Sequence, residues 1–287
     1  MKVLVLGGTR YFGRHLVDEL LLKQYDVTIA TRGITADPFG NEVQRIKVDR
    51  TKEEDMKKAF LGKEYDIVYD DIAYSSNDIK YALDNISCKR YVFVSTISVY
   101  DELHMDTREE DFDPMKGKLI WCDREDFTYN IIKQHAERAL FQEYAGRQSS
   151  VAVRFPFVIG KDDYTQRLFF YVDHIKKGIP MNVDNKKEML GFIDSREAGR
   201  FLSFIGDNDF RGIINAASKG AVSVEEIINY TEEKTGKAAI LSEEGDRAPY
   251  NGADSFSIDV SRGESTGFTF SEVRDWIWGL LDYYISL

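Results

Sequence analysis

Apolar residues recur in two rhythms along the first half of the chain. Val3-Leu4-Val5-Leu6 is an unbroken apolar run, the pattern of a strand buried on both faces. Gly7 and Gly8 break it. From Gly13 onward, Leu16, Val17, Leu20 and Leu21 fall on one face of a helix. Val27–Ala30 and Val43–Val48 predict a second and third strand, and Glu53–Phe60 a short helix. Ile67–Tyr69 and Tyr91–Val94 predict a fourth and fifth strand. A helix is predicted from Tyr129 to Tyr144 and a sixth strand at Val151–Val153. Strands alternating with helices imply crossover connections, hence an α/β fold with a doubly wound parallel sheet.

The second half is less regular. Ser223 to Thr235 predicts a helix, with Ser223 as N-cap, Glu226 three residues on, and Gly236 where a C-cap belongs. Arg274–Tyr284 predicts a last helix rich in Trp and Tyr. Ser242–Ser257 is polar and irregular, the pattern of a loop over a site or of a mobile segment.

Composition narrows the function classes. The 287 residues are 43% hydrophobic and 30% charged, ordinary globular values that leave no room for a disordered or coiled-coil reading. The formal net charge of −11 opposes a general nucleic-acid binder and docking on anionic membranes, both of which need basic surface. Cys88 and Cys122 form no CxxC pair and predict neither a disulfide scaffold nor a zinc site. No apolar run approaches membrane-span length, and the apolar start is too short for a signal peptide. The expectation is a soluble, cytoplasmic protein, in which the sequons at Asn85 and Asn229 are chance matches.

Three motifs carry candidate chemistry. Gly7-Gly8-Thr9-Arg10-Tyr11-Phe12-Gly13 lies between a strand and a helix. Glycines there let backbone N–H groups approach a pyrophosphate at a helix N-terminus. Tyr129 and Lys133 are spaced to share one helix face, where an ammonium can lower a phenol's pKa. Ser95-Thr96-Ile97-Ser98 follows the fifth strand, and hydroxyls at the C-terminal end of a parallel strand face the ligand crevice. Each alone also fits a tight turn, a solvated helix face or an ordinary Ser/Thr loop.

Taken in order, the three motifs resemble those of the extended short-chain dehydrogenase/reductases of the nucleotide-sugar epimerase/dehydratase type. Arg154-Phe155-Pro156-Phe157-Val158-Ile159-Gly160 is similar to that family's Arg-Pro-x-x-x-Tyr-Gly segment. Phe192-Ile193-Asp194 with Ala198, and Gly212–Asn215, resemble two later family segments. The resemblance implies a Rossmann domain at residues 1–156 plus 192–217 and a substrate domain at 157–191 plus 218–287. It implies Tyr129 as catalytic acid/base, Lys133 as holder of the nicotinamide ribose, and Thr96 as the catalytic hydroxyl, with Ser95 as runner-up. It implies cofactor contacts from Gly7, Thr9, Arg10, Tyr11, Phe12 and Gly13, from Asp49 and Arg50 after the third strand, from Ile72 and Ala73 after the fourth, and from Pro156. It further implies a homodimer built on a four-helix bundle that includes the Tyr129 helix.

Departures from the family pattern shift the details. Arg10 stands where the middle glycine belongs, and Thr31-Arg32-Gly33 lacks the acidic residue of NAD users. Together Arg10 and Arg32 would clamp a 2′-phosphate, which favours NADP over NAD. Phe157 and Leu190 replace an Asn and an Arg that grip nucleotide sugars, which suggests a less polar or smaller substrate. The Gly-Gly-Thr-Arg turn also resembles an atypical branch related to chloroplast stem-loop-binding proteins. The expected activity is hydride transfer at a sugar or other hydroxyl or carbonyl carbon. An NADPH-dependent carbonyl reductase and a non-catalytic dinucleotide-sensing or RNA-associated protein are the alternatives. His104, Asp106 and Glu109–Asp111 are expected to form a solvated acidic loop rather than a metal site, and His15 and His135 to be structural. Trp276, Trp278, Tyr283 and Tyr284 are expected to pack in the core or between subunits.

Overall fold

The computed structural model describes residues 1–287. In the first half, β1 (Lys2–Leu6), α1 (Tyr11–Leu22), β2 (Asp26–Thr31), β3 (Gln44–Lys47), α2 (Glu53–Phe60), β4 (Glu64–Asp70), α3 (Ser76–Leu83), β5 (Ser87–Thr96), α4 (Tyr129–Arg138) and β6 (Ser149–Phe155) follow one another. The chain continues through β7 (Phe157–Ile159), α5 (Arg167–Lys177), β8 (Met181–Asn182), β9 (Met189–Leu190), β10 (Phe192–Asp194), α6 (Ser195–Asp207) and β11 (Gly212–Asn215). It ends with β12 (Val222–Ser223), α7 (Val224–Thr235), β13 (Asp246–Arg247), α8 (Ser261–Ser265) and α9 (Val273–Ser286). Seven strands form one parallel sheet in the order β3-β2-β1-β4-β5-β6-β11. The strand order reverses between β1 and β4, so the connections that leave the C-terminal ends of these two strands run to opposite sheet faces and leave a crevice.

Strand alternation sorts the apolar residues onto two sheet faces. Val3, Val5, Ile67, Tyr69, Val92 and Val94 belong to one core; Leu4, Leu6, Val68, Tyr91 and Phe93 belong to the other. The first core takes in α1 and α6, which approach closely: a Cβ on Gly199 would sit 2.6 Å from that of His15. It runs on without a break into α5, α7 and α9 through Leu168, Tyr171, Ile227, Ile277 and Leu281. The second core is closed by α2, α3 and α4 through Met56, Phe60, Ile79, Ala82 and Ala136.

Several elements differ from expectation. The Tyr129 helix regularises only to Arg138 and then widens into a π-type turn over Ala139–Glu143. Helix α3 was missed because its apolar residues span barely two turns; a capping box of Ser75 and Asp78 fixes its start. Helices α5 and α6 were also absent from the reading of the less regular half. Ser242–Ser257 is not a free loop. Phe256 donates its N–H to Met189, β13 pairs with β8, and Ala248, Tyr250 and Phe256 are buried. Helix α7 has the capping box of Ser223 and Glu226, and Gly236 ends it in the left-handed region.

The segment from Pro114 to Asp123 lies across α3 and α4. Ser76 Oγ donates to the Ile120 carbonyl at 2.8 Å, Arg138 to that of Lys116 at 3.1 Å, and Gln142 to that of Pro114 at 2.7 Å. No helix is long and apolar enough to cross a membrane.

Candidate active site

A cavity of about 500 Å³ opens at the strand-order reversal, walled by the glycine turn, the ends of β4, β5 and β6, the start of α4 and the segment leading into α5. The turn is tight because its glycines are required. Gly7 adopts φ +112°, and a Cβ there would lie 3.2 Å from that of Asp71. A Cβ on Gly13 would collide with the Asp71 carboxylate. Arg10 replaces a glycine without strain, since its backbone is extended (φ −140°), and its guanidinium lies 5.6 Å from the Tyr164 ring. Tyr11, at φ +59°, reaches across the cavity floor and donates its hydroxyl to the Val158 carbonyl.

Thr96, Tyr129 and Lys133 line this same cavity. Lys133 is buried, and its ammonium donates to the carbonyls of Ala73 at 2.7 Å and Val94 at 2.8 Å. Burial pushes its pKa down to about 7, against the pull of Asp70 and Asp78. Tyr129 turns its phenol between Tyr74, Tyr164 and Thr96, with 46% of the residue still exposed. Removal of the phenol from water pushes its pKa up to about 12, with Thr96 and Arg167 acting to lower it. Lys133 is thus engaged with carbonyls and does not bring the phenol toward neutrality, as the helical spacing had led us to expect.

The remaining expected residues divide. Gly7, Thr9, Arg10, Tyr11, Phe12, Gly13, Ile72, Ser95 and Pro156 line the cavity. Ser95 nevertheless donates to Glu137 at 2.5 Å, and Glu137 forms a fully buried bidentate pair with Arg154 at 2.6 and 3.0 Å. The Ser95 hydroxyl is therefore spent on the core. Arg50 is buried and donates to Asp70 at 2.6 Å, away from both hollows, so its part is structural. Ala73 contributes only its carbonyl, to Lys133. Asp49 lines a separate hollow with Arg32, Lys47, Asp55 and Lys58. Its carboxylate is held below the ordinary range by Thr51, with Arg32 adding to the effect. Arg10 and Arg32 face different hollows, so the two-arginine clamp does not form.

Phe155, Phe157 and Tyr164 give the cavity an aromatic wall, and buried Tyr250 and Phe256 back it from the core. Phe157 packs against Tyr250 at 4.9 Å and Phe256 at 5.7 Å, and Arg167 lies 5.3 Å from its ring. Leu190 is wholly buried in the core and does not line the cavity, so its replacement of an arginine leaves no mark on the wall. Sequence reasoning missed Asp71, Tyr164 and Arg167. Asp71 gave a signal, the second of two acids directly after the apolar Ile67–Tyr69 run; Arg167 gave none, because its position depends on the path of the β7–α5 connection. Both carboxylate oxygens of Asp71 are buried without a hydrogen-bond partner, and burial beside Asp70 pushes its pKa up to about 8.

Elsewhere, His104 pairs with Asp111 at 3.0 Å in the acidic loop. Glu109 of that loop is not solvated. It is buried and accepts the Asn215 N–H at 2.8 Å, fastening the loop to β11. His15 bonds Asp162 at 3.0 Å, and the His135 ring accepts the Ile120 N–H at 3.3 Å. The C-terminal aromatics pack within the chain: Trp276 donates to Ser218, Trp278 meets Tyr230 and Tyr284 donates to Gly160.

A dinucleotide fits this cavity on its own geometry. The glycine turn brings backbone close at a helix N-terminus, and the space continues unbroken to Thr96 and Tyr129. Known proteins share this fold. The UDP-glucose 4-epimerase of Thermotoga maritima, solved with UDP-glucose, superposes with a TM-score of 0.78 at 15% identity, over 100% of this chain and 99% of that one. The UDP-glucuronic acid 4-epimerase of Bacillus cereus, solved with UDP-glucuronic acid and NAD, gives 0.77 at 18% identity, over 100% and 99%. Among characterised sequences, the chloroplast stem-loop binding protein of 41 kDa b from Arabidopsis thaliana is 23% identical over 272 residues, 81% of this chain and 67% of that protein. The family model for NAD dependent epimerase/dehydratase matches residues 3–217, which takes in the glycine turn, the Thr96–Tyr129–Lys133 wall and all seven strands of the sheet. By that match, the chain belongs to the NAD-dependent epimerase/dehydratase family.

Proposed function

We propose that the chain catalyses hydride transfer at a hydroxyl-bearing or carbonyl carbon of a small substrate, of the epimerase or dehydratase kind, with Tyr129 as acid/base. The observation that carries this reading is the meeting of the glycine turn, Thr96, Tyr129 and Lys133 on one cavity. A bound nicotinamide dinucleotide supplies the hydride acceptor or donor. The glycine turn would hold its pyrophosphate, and Lys133 and Ile72 would flank its ribose. Thr96 positions the phenol and shares the substrate oxygen. Tyr129 takes the hydroxyl proton in oxidation and returns it in reduction.

The cofactor proposed is NAD. The argument for NADP rested on two guanidinium groups converging, and here they line different hollows. Arg32 alone, with Asp49 and Asp55 offsetting Lys47 and Lys58, makes a weak phosphate clamp. The Phe157 ring on the cavity wall and the Arg167 guanidinium favour a substrate with an apolar face and an anionic group. RNA association is the second reading, favoured by the name of the chloroplast relative and opposed by the net charge of −11.

Titration of the purified chain with NADH, NADPH and a stem-loop RNA at fixed salt tests the whole reading. NADH binding tighter than NADPH is the expected result. Tighter NADPH binding reverses the cofactor assignment. RNA binding with no dinucleotide binding overturns the enzyme.

A further inference from the structure

The connection from β7 to α5 delivers a tied-down cation to the cavity. Arg167, the first residue of α5, is half-buried on the cavity wall. Its Nε donates to Thr165 Oγ1 at 3.0 Å and its Nη2 to the Val158 carbonyl at 3.2 Å, and the guanidinium lies 5.3 Å from the Phe157 ring. Thr165 is itself held, because the buried Asp163 accepts its N–H at 2.9 Å and its hydroxyl at 2.5 Å. This relay orients the guanidinium and occupies two of its five N–H donors. The other arginines that are drawn in beside the sheet meet buried acids: Arg50 pairs with Asp70, Arg124 with Asp78 and Arg154 with Glu137. Arg167 enters no ion pair, and its remaining donors have no partner in the chain.

Nothing else on the wall answers that charge. Asp71 is the only acid lining the cavity, and both its oxygens are buried against the glycine turn. The two other cations of the wall are placed differently. Lys133 is engaged with two carbonyls, and Arg10 sits on the glycine turn, 5.6 Å from the Tyr164 ring. A guanidinium taken partly out of water without a counter-ion costs free energy that a bound anion offsets. Its planar fork matches two oxygens of a carboxylate or a phosphate. The charge of Arg167 also acts on the Tyr129 phenol, which places the fork close to the group that handles the substrate proton.

We infer that Arg167 selects a substrate bearing an oxyanion: its free N–H groups receive a carboxylate or phosphate carried on the molecule whose hydroxyl Tyr129 serves, with Thr165 and Asp163 as positioning residues. This inference rests on the hydride-transfer reading above. Carboxylate and phosphate share the chemistry of recognition and differ in reach, since a carboxylate is bonded to carbon and a phosphate stands off through an ester oxygen.

The test is equilibrium titration of wild type, Arg167→Met, Arg167→Lys, Thr165→Val and Thr165→Ser with D-glucose, D-glucuronate and glucose 1-phosphate, with and without saturating NADH, at fixed salt. Wild type should bind at least one of the two anionic sugars about ten-fold more tightly than glucose, and which one identifies the oxyanion. Arg167→Met keeps an apolar stem and should weaken binding of that anion by about 10- to 100-fold, with glucose unchanged. Arg167→Lys should recover only part of the loss, because an ammonium is not a fork, and it serves where the Met variant does not fold. Thr165→Val should weaken anion binding and Thr165→Ser should restore it, a pair of results that simple loss of stability would not produce. Equal binding of all three sugars by wild type, binding of neither anion, or anion affinity that both Arg167 variants leave unchanged overturns the inference. Weakened NADH binding in Arg167→Met with anion affinity intact assigns Arg167 to the dinucleotide and overturns it as well. Arg167-dependent anion binding in a chain that binds no NADH supports the inference and overturns the hydride-transfer reading alone.

Discussion

Tyr129 holds its proton tightly in the ligand-free cavity, and the direction of chemistry follows from that. A phenol near 12 is protonated at neutral pH, so a proton is there to give, while the phenolate that would take one is scarce. Reduction should therefore be nearly flat from pH 6 to 9, whereas oxidation should speed up as pH rises; equal and opposite profiles in stopped-flow assays would contradict this. Tyr129→Phe should cost about 100- to 10,000-fold in turnover while leaving NADH affinity close to wild type. Ser95 and Thr96 are adjacent but should separate. Thr96→Ala should lower turnover with little change in stability. Ser95→Ala should lower stability with little change in turnover, because its partner is the buried Glu137. Removing one member of the Glu137–Arg154 pair by Glu137→Ala should cost about 3–5 kcal/mol in denaturant unfolding, since it strands a buried charge. Lys133 makes a pH-dependent claim on stability. Its folded pKa of about 7 lies below its unfolded value, so between these the unfolded chain binds more protons and stability rises with pH. Lys133→Met should therefore be more stable than wild type at pH 6.5, and its advantage should shrink toward pH 10.

Elements were legible where their apolar rhythm was long. Strand β1, helix α1, strands β2 and β4 and helix α7 were all visible, because each carries either a run buried on both faces or a clear stripe with caps. Helix α3 was not, since its stripe spans barely two turns, and α5 starts without a side-chain cap; α6 carries both a long apolar stripe and an Asp194 cap, so its signal was present in the sequence and went unread. The site shows the same division. Gly7, Gly13, Thr96, Tyr129 and Lys133 sit in local motifs and could be read from spacing. Arg167 and the buried Asp71 become meaningful only once β4 and the β7–α5 connection are brought together. Arg50 shows the converse: it follows a strand as a cofactor residue would, yet it turns into the core to meet Asp70.

At the scale of the whole molecule, the segment from Pro114 to Asp123 bears on assembly. It is bonded across α3 and α4 and covers part of both helices. Light scattering should accordingly find a monomer; a dimer abolished by substitutions on the outer face of α4 would contradict this.

The apolar cluster that joins the sheet to α5, α7 and α9 has no seam. The family's match stops at residue 217, but the interior does not. Brief digestion with protease should yield nicked but whole chains rather than a stable sheet-only fragment, because cutting there would bare Leu168, Ile227 and Leu281 to water. Phe157 lines the cavity and is backed by Tyr250 from that same continuous interior, so close packing holds its ring in place. Specificity in this chain should then change by replacing side chains on a fixed wall, not by one lobe swinging against another.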